Sequence, residues 1–87
     1  MYQISSLDEL KRLADGNSLE CSITLVGNAI SSKIIWYDSA DDEWEIFNLI
    51  DDSEEAFDST QDMLSQTHIA SALEHGALYY WENFHMP

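Results

Sequence analysis

The chain has 87 residues, with seventeen Asp and Glu against three Lys and Arg, a formal net charge of −14 and a single cysteine. That length makes one domain spanning residues 1–87, and a lone Cys21 excludes an intramolecular disulfide or a cysteine-built metal scaffold. A hydrophobic fraction of 45% argues against disorder, while the negative field repels nucleic acid and anionic membranes and attracts basic proteins, metal ions or polycations.

The N-terminal MYQISSLDELKR lacks an apolar stretch preceded by basic residues, and no apolar run approaches the ~20 residues that span a bilayer. With one free thiol, the expectation is a cytoplasmic protein. Ser6-Leu7-Asp8-Glu9 has the pattern of a capping box. Leu7, Leu10, Leu13 and Ala14 then recur at helical spacing before Gly16, which predicts a short amphipathic helix over residues 6–15. Leu19, Cys21, Ile23 and Leu25 alternate with Glu20, Ser22 and Thr24, predicting a strand over residues 18–26, and Gly27-Asn28 is a turn signal.

SSKIIWYD predicts a strand over residues 31–38 and EWEIFNLI another over 43–50, joined by the hairpin connection DSADD. In the second strand Trp44, Ile46, Asn48 and Ile50 share one face, with Glu45, Phe47 and Leu49 on the other. The second face of this pair is not clearly polar, so Ile35 or Tyr37, Phe47 and Leu49 need cover or a partner. Residues 51–62 are acidic with little period, apart from a helical turn around Asp58–Leu64. Thr67 reads as an N-cap, Ile69, Ala72 and Leu73 as a helical stripe, and Gly76 as its stop. Ala77–Trp81 returns to strand propensity. The expected fold is α+β in the order α-β-β-β-α-β. A small antiparallel sheet of three to four strands would carry two to three short helices on one face.

No catalytic, metal or cofactor constellation is expected. Asp51, Ser53, Glu55, Phe57, Ser59 and Asp62 match the spacing of a calcium loop, yet Ala56 replaces the turn glycine and Asp62 the bidentate Glu. His68 and His75 lie two helical turns apart, His85 is in the tail, and no paired cysteines accompany them. Cys21 occupies an inward strand position, where thiols are inert. The three glycines serve caps and turns rather than a phosphate cradle. The chain therefore reads as non-enzymatic.

The charge is unevenly placed. Residues 1–33 hold four acids and all three bases, 3 − 4 = −1, whereas residues 34–87 hold thirteen acids and no Lys or Arg, −13. The candidate partner-binding residues are Asp38, Asp41, Asp42, Glu43, Glu45, Asp51, Asp52, Glu54, Glu55, Asp58 and Asp62, with Tyr80 and Trp81 as exposed aromatic anchors beside them. Three explanations compete. The first is a solvated face that keeps the chain soluble, and the second an adaptor that docks proteins through an exposed aromatic strand face. The third is mimicry of a nucleic-acid backbone. B-DNA shows one charge per ~1.7 Å of axis, and carboxylates at alternate strand positions, ~6.6 Å apart, approach such a row. A halophilic surface would spread its acids evenly, unlike this one.

SSKIIWYD, FNLIDDSEE and THIASALEHGALYYW are similar to segments of short proteins of phages and mobile elements. Those share Ser-Ser-Lys before a strand, Ile-Asp-Asp-x-Glu ending the next, and Gly-Ala-Leu-Tyr near the C-terminus; the match covers residues 30–81. In size, acidity and layout the chain also resembles phage anti-CRISPR and anti-restriction proteins that act as DNA mimics. That resemblance is of type and carries over no individual residue. It implies a stoichiometric inhibitor in a bacterial cytoplasm, whose partner is the basic groove of a nucleic-acid-binding protein such as a CRISPR effector or restriction nuclease, with no direct nucleic acid or membrane contact.

Overall fold

Ser6 caps the first helix as its sequence predicts. Its hydroxyl accepts from the Glu9 amide at 3.1 Å, while the Glu9 carboxylate accepts from the Ser5 amide at 2.7 Å rather than from that of Ser6. The structure, a computed structural model, describes residues 1–24 and 30–81. The Gly27-Asn28 turn, the last two residues of the strand expected over 18–26, and His85 lie outside the described residues.

The elements in chain order are β1 (Tyr2–Gln3), α1 (Leu7–Ala14), β2 (Leu19–Thr24), β3 (Ile30–Asp38), β4 (Glu43–Asn48), β5 (Ser53–Phe57), α2 (Thr60–Gln66), α3 (Ile69–Glu74) and β6 (Leu78–Tyr80). The class is α+β, as expected, but the sheet has six strands rather than three or four, in the order β1-β6-β2-β3-β4-β5. Every neighbouring pair is antiparallel.

Two strands go beyond the expected set. β1 is only two residues, held against β6 at one edge with Tyr2 opposite Tyr80. β5 forms the other edge inside the stretch read as an acidic connection. The strand expected over 43–50 ends at Asn48, and Leu49 and Ile50 turn outward. Asp51 then accepts the Ser53 amide at 3.0 Å and Asp52 adopts a left-handed φ of 59°, which returns the chain along β4. Charged residues suit such an edge, because they deter pairing with another chain.

The helical turn expected around Asp58–Leu64 is the seven-residue helix α2, which precedes the helix expected from Thr67 onward. Ser59 caps α2 by accepting from the Asp62 amide at 3.0 Å, and the N-cap of α3 is His68 rather than the expected Thr67. Thr67 joins the two helices, its hydroxyl donating to the Met63 carbonyl at 2.8 Å and accepting from the Ile69 amide at 3.2 Å.

One face of the sheet makes the core. Leu19, Cys21, Ile23, Ile35, Tyr37, Trp44, Ile46, Phe57 and Leu78 pack beneath Leu10 and Ala14 of α1, Met63 of α2, and Ile69 and Ala72 of α3. The helices thus lie on one face, as the α+β pattern predicts.

Candidate protein-interaction face

Side chains alternate between faces along a strand, and residues opposed in the register share a face. Ile35 opposes Ile46 and Tyr37 opposes Trp44, all of them buried under the helices. The intervening residues therefore point the other way. Ile34 opposes Phe47, Trp36 opposes Glu45, and Asp38 opposes Glu43. Glu20 flanks Ile34 on β2 and Glu54 flanks Phe47 on β5. A row Glu20–Ile34–Phe47–Glu54 thus crosses four strands on the side away from the helices.

This open face carries its own apolar centre. Ile34, Trp36, Phe47 and Tyr79 are half-buried and none belongs to the core cluster. Trp81 follows β6 onto the same side, with its amide donating to the Glu20 carbonyl at 3.0 Å and its indole to the Ser22 hydroxyl at 3.3 Å. It remains 44% exposed.

Carboxylates accompany that centre: Glu20 of β2 on one flank, Glu54 of β5 on the other, Glu45 of β4 opposite Trp36, and Asp38 and Glu43 at one end. Asp38 and Glu43 oppose each other directly, an unfavourable like-charge pair. No Lys or Arg among the described residues shares the face. Lys11 and Arg12 lie on α1, and the Lys11 ammonium sits 5.6 Å from the centroid of the inward Tyr37 ring. Lys33 opposes Asn48 on the helix side and donates to its side-chain carbonyl.

The expected acidic row from Asp38 to Asp62 is therefore sorted by the fold into groups with different tasks. Asp38, Glu43, Glu45 and Glu54 are on the open face. Asp41 is exposed at the hairpin tip, where Asp38, Asp41 and Glu43 bring carboxylate oxygens within 4.8 Å of one another. Asp42 turns inward and accepts from the Tyr37 hydroxyl at 2.8 Å and the Thr60 amide at 2.9 Å. Hydrogen bonds from the Thr60 hydroxyl and amide, then from Tyr37, lower its pKa to about 2. Asp51 serves the turn, and its pKa is lowered by the Ser53 hydroxyl and amide. Asp52 sits in the same turn. Glu55 lies on the helix side, accepting from the Asn48 amide group at 3.1 Å. Asp58 precedes the α2 cap, and Asp62 occupies the first turn of α2, where the helix dipole favours a negative charge.

Of the two aromatic anchors expected, Trp81 is on the open face and Tyr80 is not. Tyr80 opposes the buried Cys21, packs on the core and lies 5.5 Å from the Tyr2 ring. Strand parity gives the outward place to Tyr79. Sequence reasoning also passed over Glu20, Ile34 and Trp36. The alternation of Glu20 with Cys21 was legible, but the unbroken apolar run Ile34–Tyr37 has no period to reveal which members face out.

Burial, and secondarily Glu20, pushes the Cys21 thiol up to about 12. Of the residues at calcium-loop spacing, Ser53, Glu55 and Phe57 fall on the extended strand β5, Asp51 in the turn before it, and Ser59 and Asp62 at the cap and first turn of α2. His68 and His75 flank α3 and line a cavity of about 160 Å³ with Ile23, Thr24, Ser71, Ala72 and Ala77. Among the described residues, no helix is long and apolar enough to cross a membrane.

No protein family, curated protein or solved structure matches the chain. Its function has to be read from the chemistry of the face itself.

Proposed function

We propose that this chain is a non-enzymatic acidic inhibitor from a phage or mobile element, of the anti-CRISPR or anti-restriction type. It acts in the cytoplasm of a bacterial host by covering the basic nucleic-acid-binding surface of a defence complex. The observation that carries the reading is a sheet face with Glu20, Asp38, Glu43, Glu45 and Glu54 and no Lys or Arg among its described residues. Like charges held this close raise the free energy of the isolated fold, and a cationic partner relieves that repulsion. Carboxylates occupy phosphate positions against Lys and Arg, while Trp36, Phe47 and Trp81 supply apolar contact less sensitive to salt.

The adaptor reading has its own support, since Ile34, Trp36 and Phe47 form an apolar centre that a pure phosphate mimic does not need. One experiment separates the two. The purified chain is titrated against a CRISPR effector and a restriction endonuclease holding labelled DNA, at several salt concentrations. Displacement of DNA that weakens steeply with salt, and disappears when Asp38, Asp41, Glu43, Glu45 and Glu54 become Asn or Gln, supports occlusion. Binding that survives this neutralisation and depends little on salt refutes mimicry and leaves the adaptor.

A further inference from the structure

We infer that the open sheet face docks an amphipathic, cationic α-helix of its protein partner, laid along β3 and β4 between two carboxylate rims. The inference rests on the reading of this face as a binder of basic protein and names the element that it takes. The row Glu20–Ile34–Phe47–Glu54 covers three interstrand steps. At about 4.8 Å each these separate the two glutamates by roughly 14 Å. A helix with its side chains is about 10–12 Å across and fits between them.

Ile34 and Phe47 sit at the centre of that row, and Trp36 lies two residues further along β3, so an apolar stripe at helical spacing meets these three side chains before the carboxylates of Glu45, Asp38 and Glu43. Lys or Arg on the two flanks of such a helix meets Glu20 of β2 on one side and Glu54 of β5 on the other, and a further cation on its underside meets Glu45 of β4 beside Trp36. Their aliphatic stems cover the apolar centre while the charged heads reach the rims.

Charge complementarity decides among occupants. A second copy of the chain brings the same acidic face and a net charge of −14. An anionic bilayer or nucleic acid is repelled likewise. An uncharged apolar helix would desolvate the rim carboxylates without compensation. An extended basic peptide can reach both rims, but alternate side chains point away from the face, so it covers the apolar centre less fully than a helix does. The cationic helix satisfies the centre and both flanks most fully.

The test uses synthetic peptides of about 18 residues, five helical turns. One places Leu at positions i, i+3, i+4 and i+7 with Lys on the flanks, a second scrambles the same composition, and a third replaces Lys with Glu. Titration calorimetry should show the first binding about tenfold or more tightly than the second, and the third not at all. Ile34→Ser with Phe47→Ser, and separately Glu20→Gln with Glu54→Gln, should each weaken that binding about tenfold. Amide chemical-shift mapping on the unaltered protein should localise the peptide to Ile34, Trp36, Phe47 and Trp81, independently of how the variants fold. Equal binding of the scrambled peptide, or shifts confined to α1–α3, overturns the helix-docking inference while basic-surface binding stands. If neither Lys peptide binds, the inference fails, and the DNA-displacement experiment above decides the function separately.

Discussion

Thr60 holds the Asp42 carboxylate with two hydrogen bonds, one from its amide at 2.9 Å and one from its hydroxyl. The same hydroxyl accepts from the Trp44 indole at 3.0 Å, and the Tyr37 hydroxyl donates to Asp42 at 2.8 Å. The tip of the β3–β4 hairpin is thereby latched to the start of α2, with a negative charge where the helix dipole favours one. Asp42 is thus the acid of the hairpin tip that belongs to the fold, and it should not be grouped with its exposed neighbours Asp41 and Glu43.

Replacing Asp42 with Asn tests this latch. Asn tolerates the left-handed φ of 55° at this position as Asp does, so the substitution isolates the charge and acceptor capacity from the backbone. The melting midpoint should fall for Asp42→Asn and hold or rise for Asp41→Asn, which only relieves repulsion. The folded pKa, about 2, lies below the ordinary 3.8. The carboxylate's contribution is therefore fully present above about pH 4 and lost as pH falls towards 2. The gap in melting midpoint between the parent chain and Asp42→Asn should close over that window. A gap constant from pH 7 to pH 2 would mean that the charge of Asp42 plays no part.

The two faces of the sheet predict opposite tolerances to truncation. Ile46 is 1% exposed beneath the helices, and Ile46→Ala should destabilise by about 2–5 kcal/mol in urea unfolding. Ile34, one strand away but on the open face, should lose about 1 kcal/mol or less on the same change. Equal losses at the two positions would show that the open face is covered in solution.

Much of this fold is legible because it is local. The first helix needs only Ser6, the leucine spacing and Gly16, all within eleven residues. β5 is not legible in the same way, because Ser-Glu-Glu-Ala-Phe has neither apolar alternation nor β-branched residues. It is a strand because Asp51 and Asp52 fold it back on β4. The acids can be counted from the sequence, yet the sorting of Asp42 from Glu43, or of Glu54 from Glu55, is set by register. The same holds for Ile34–Tyr37. Only pairing with Ile46 and Trp44 decides that Ile35 and Tyr37 go in while Ile34 and Trp36 come out.

Cys21 should behave as a protected core thiol. Burial, with the adjacent Glu20 adding repulsion, raises its pKa from 9.0 to about 12. Since the folded pKa is the higher one, the protonated thiol favours the fold below about pH 9, and that contribution is lost as pH rises towards 12. At pH 8 a thiol reagent should label the native chain far more slowly than the urea-unfolded chain. Labelling of the native protein at the unfolded rate would contradict the burial of β2.

Gly76 closes α3 with a φ of 66°, and a Cβ at this position would lie 2.5 Å from the Gln3 side-chain nitrogen. That nitrogen donates to the Gly76 carbonyl at 3.2 Å and helps tie the edge strand β1 to the sheet. Gly16 has nearly the same φ, 65°, but a Cβ there would meet nothing within 4 Å. Gly16→Ala should therefore lose only the left-handed penalty, about 1–2 kcal/mol. Gly76→Ala should lose more, because Gln3 must swing away and give up its hydrogen bond. In a Gln3→Ala background that excess should vanish, leaving the two glycine substitutions equal. An excess that persists without the Gln3 side chain would place the constraint in the backbone of α3 and β6 instead.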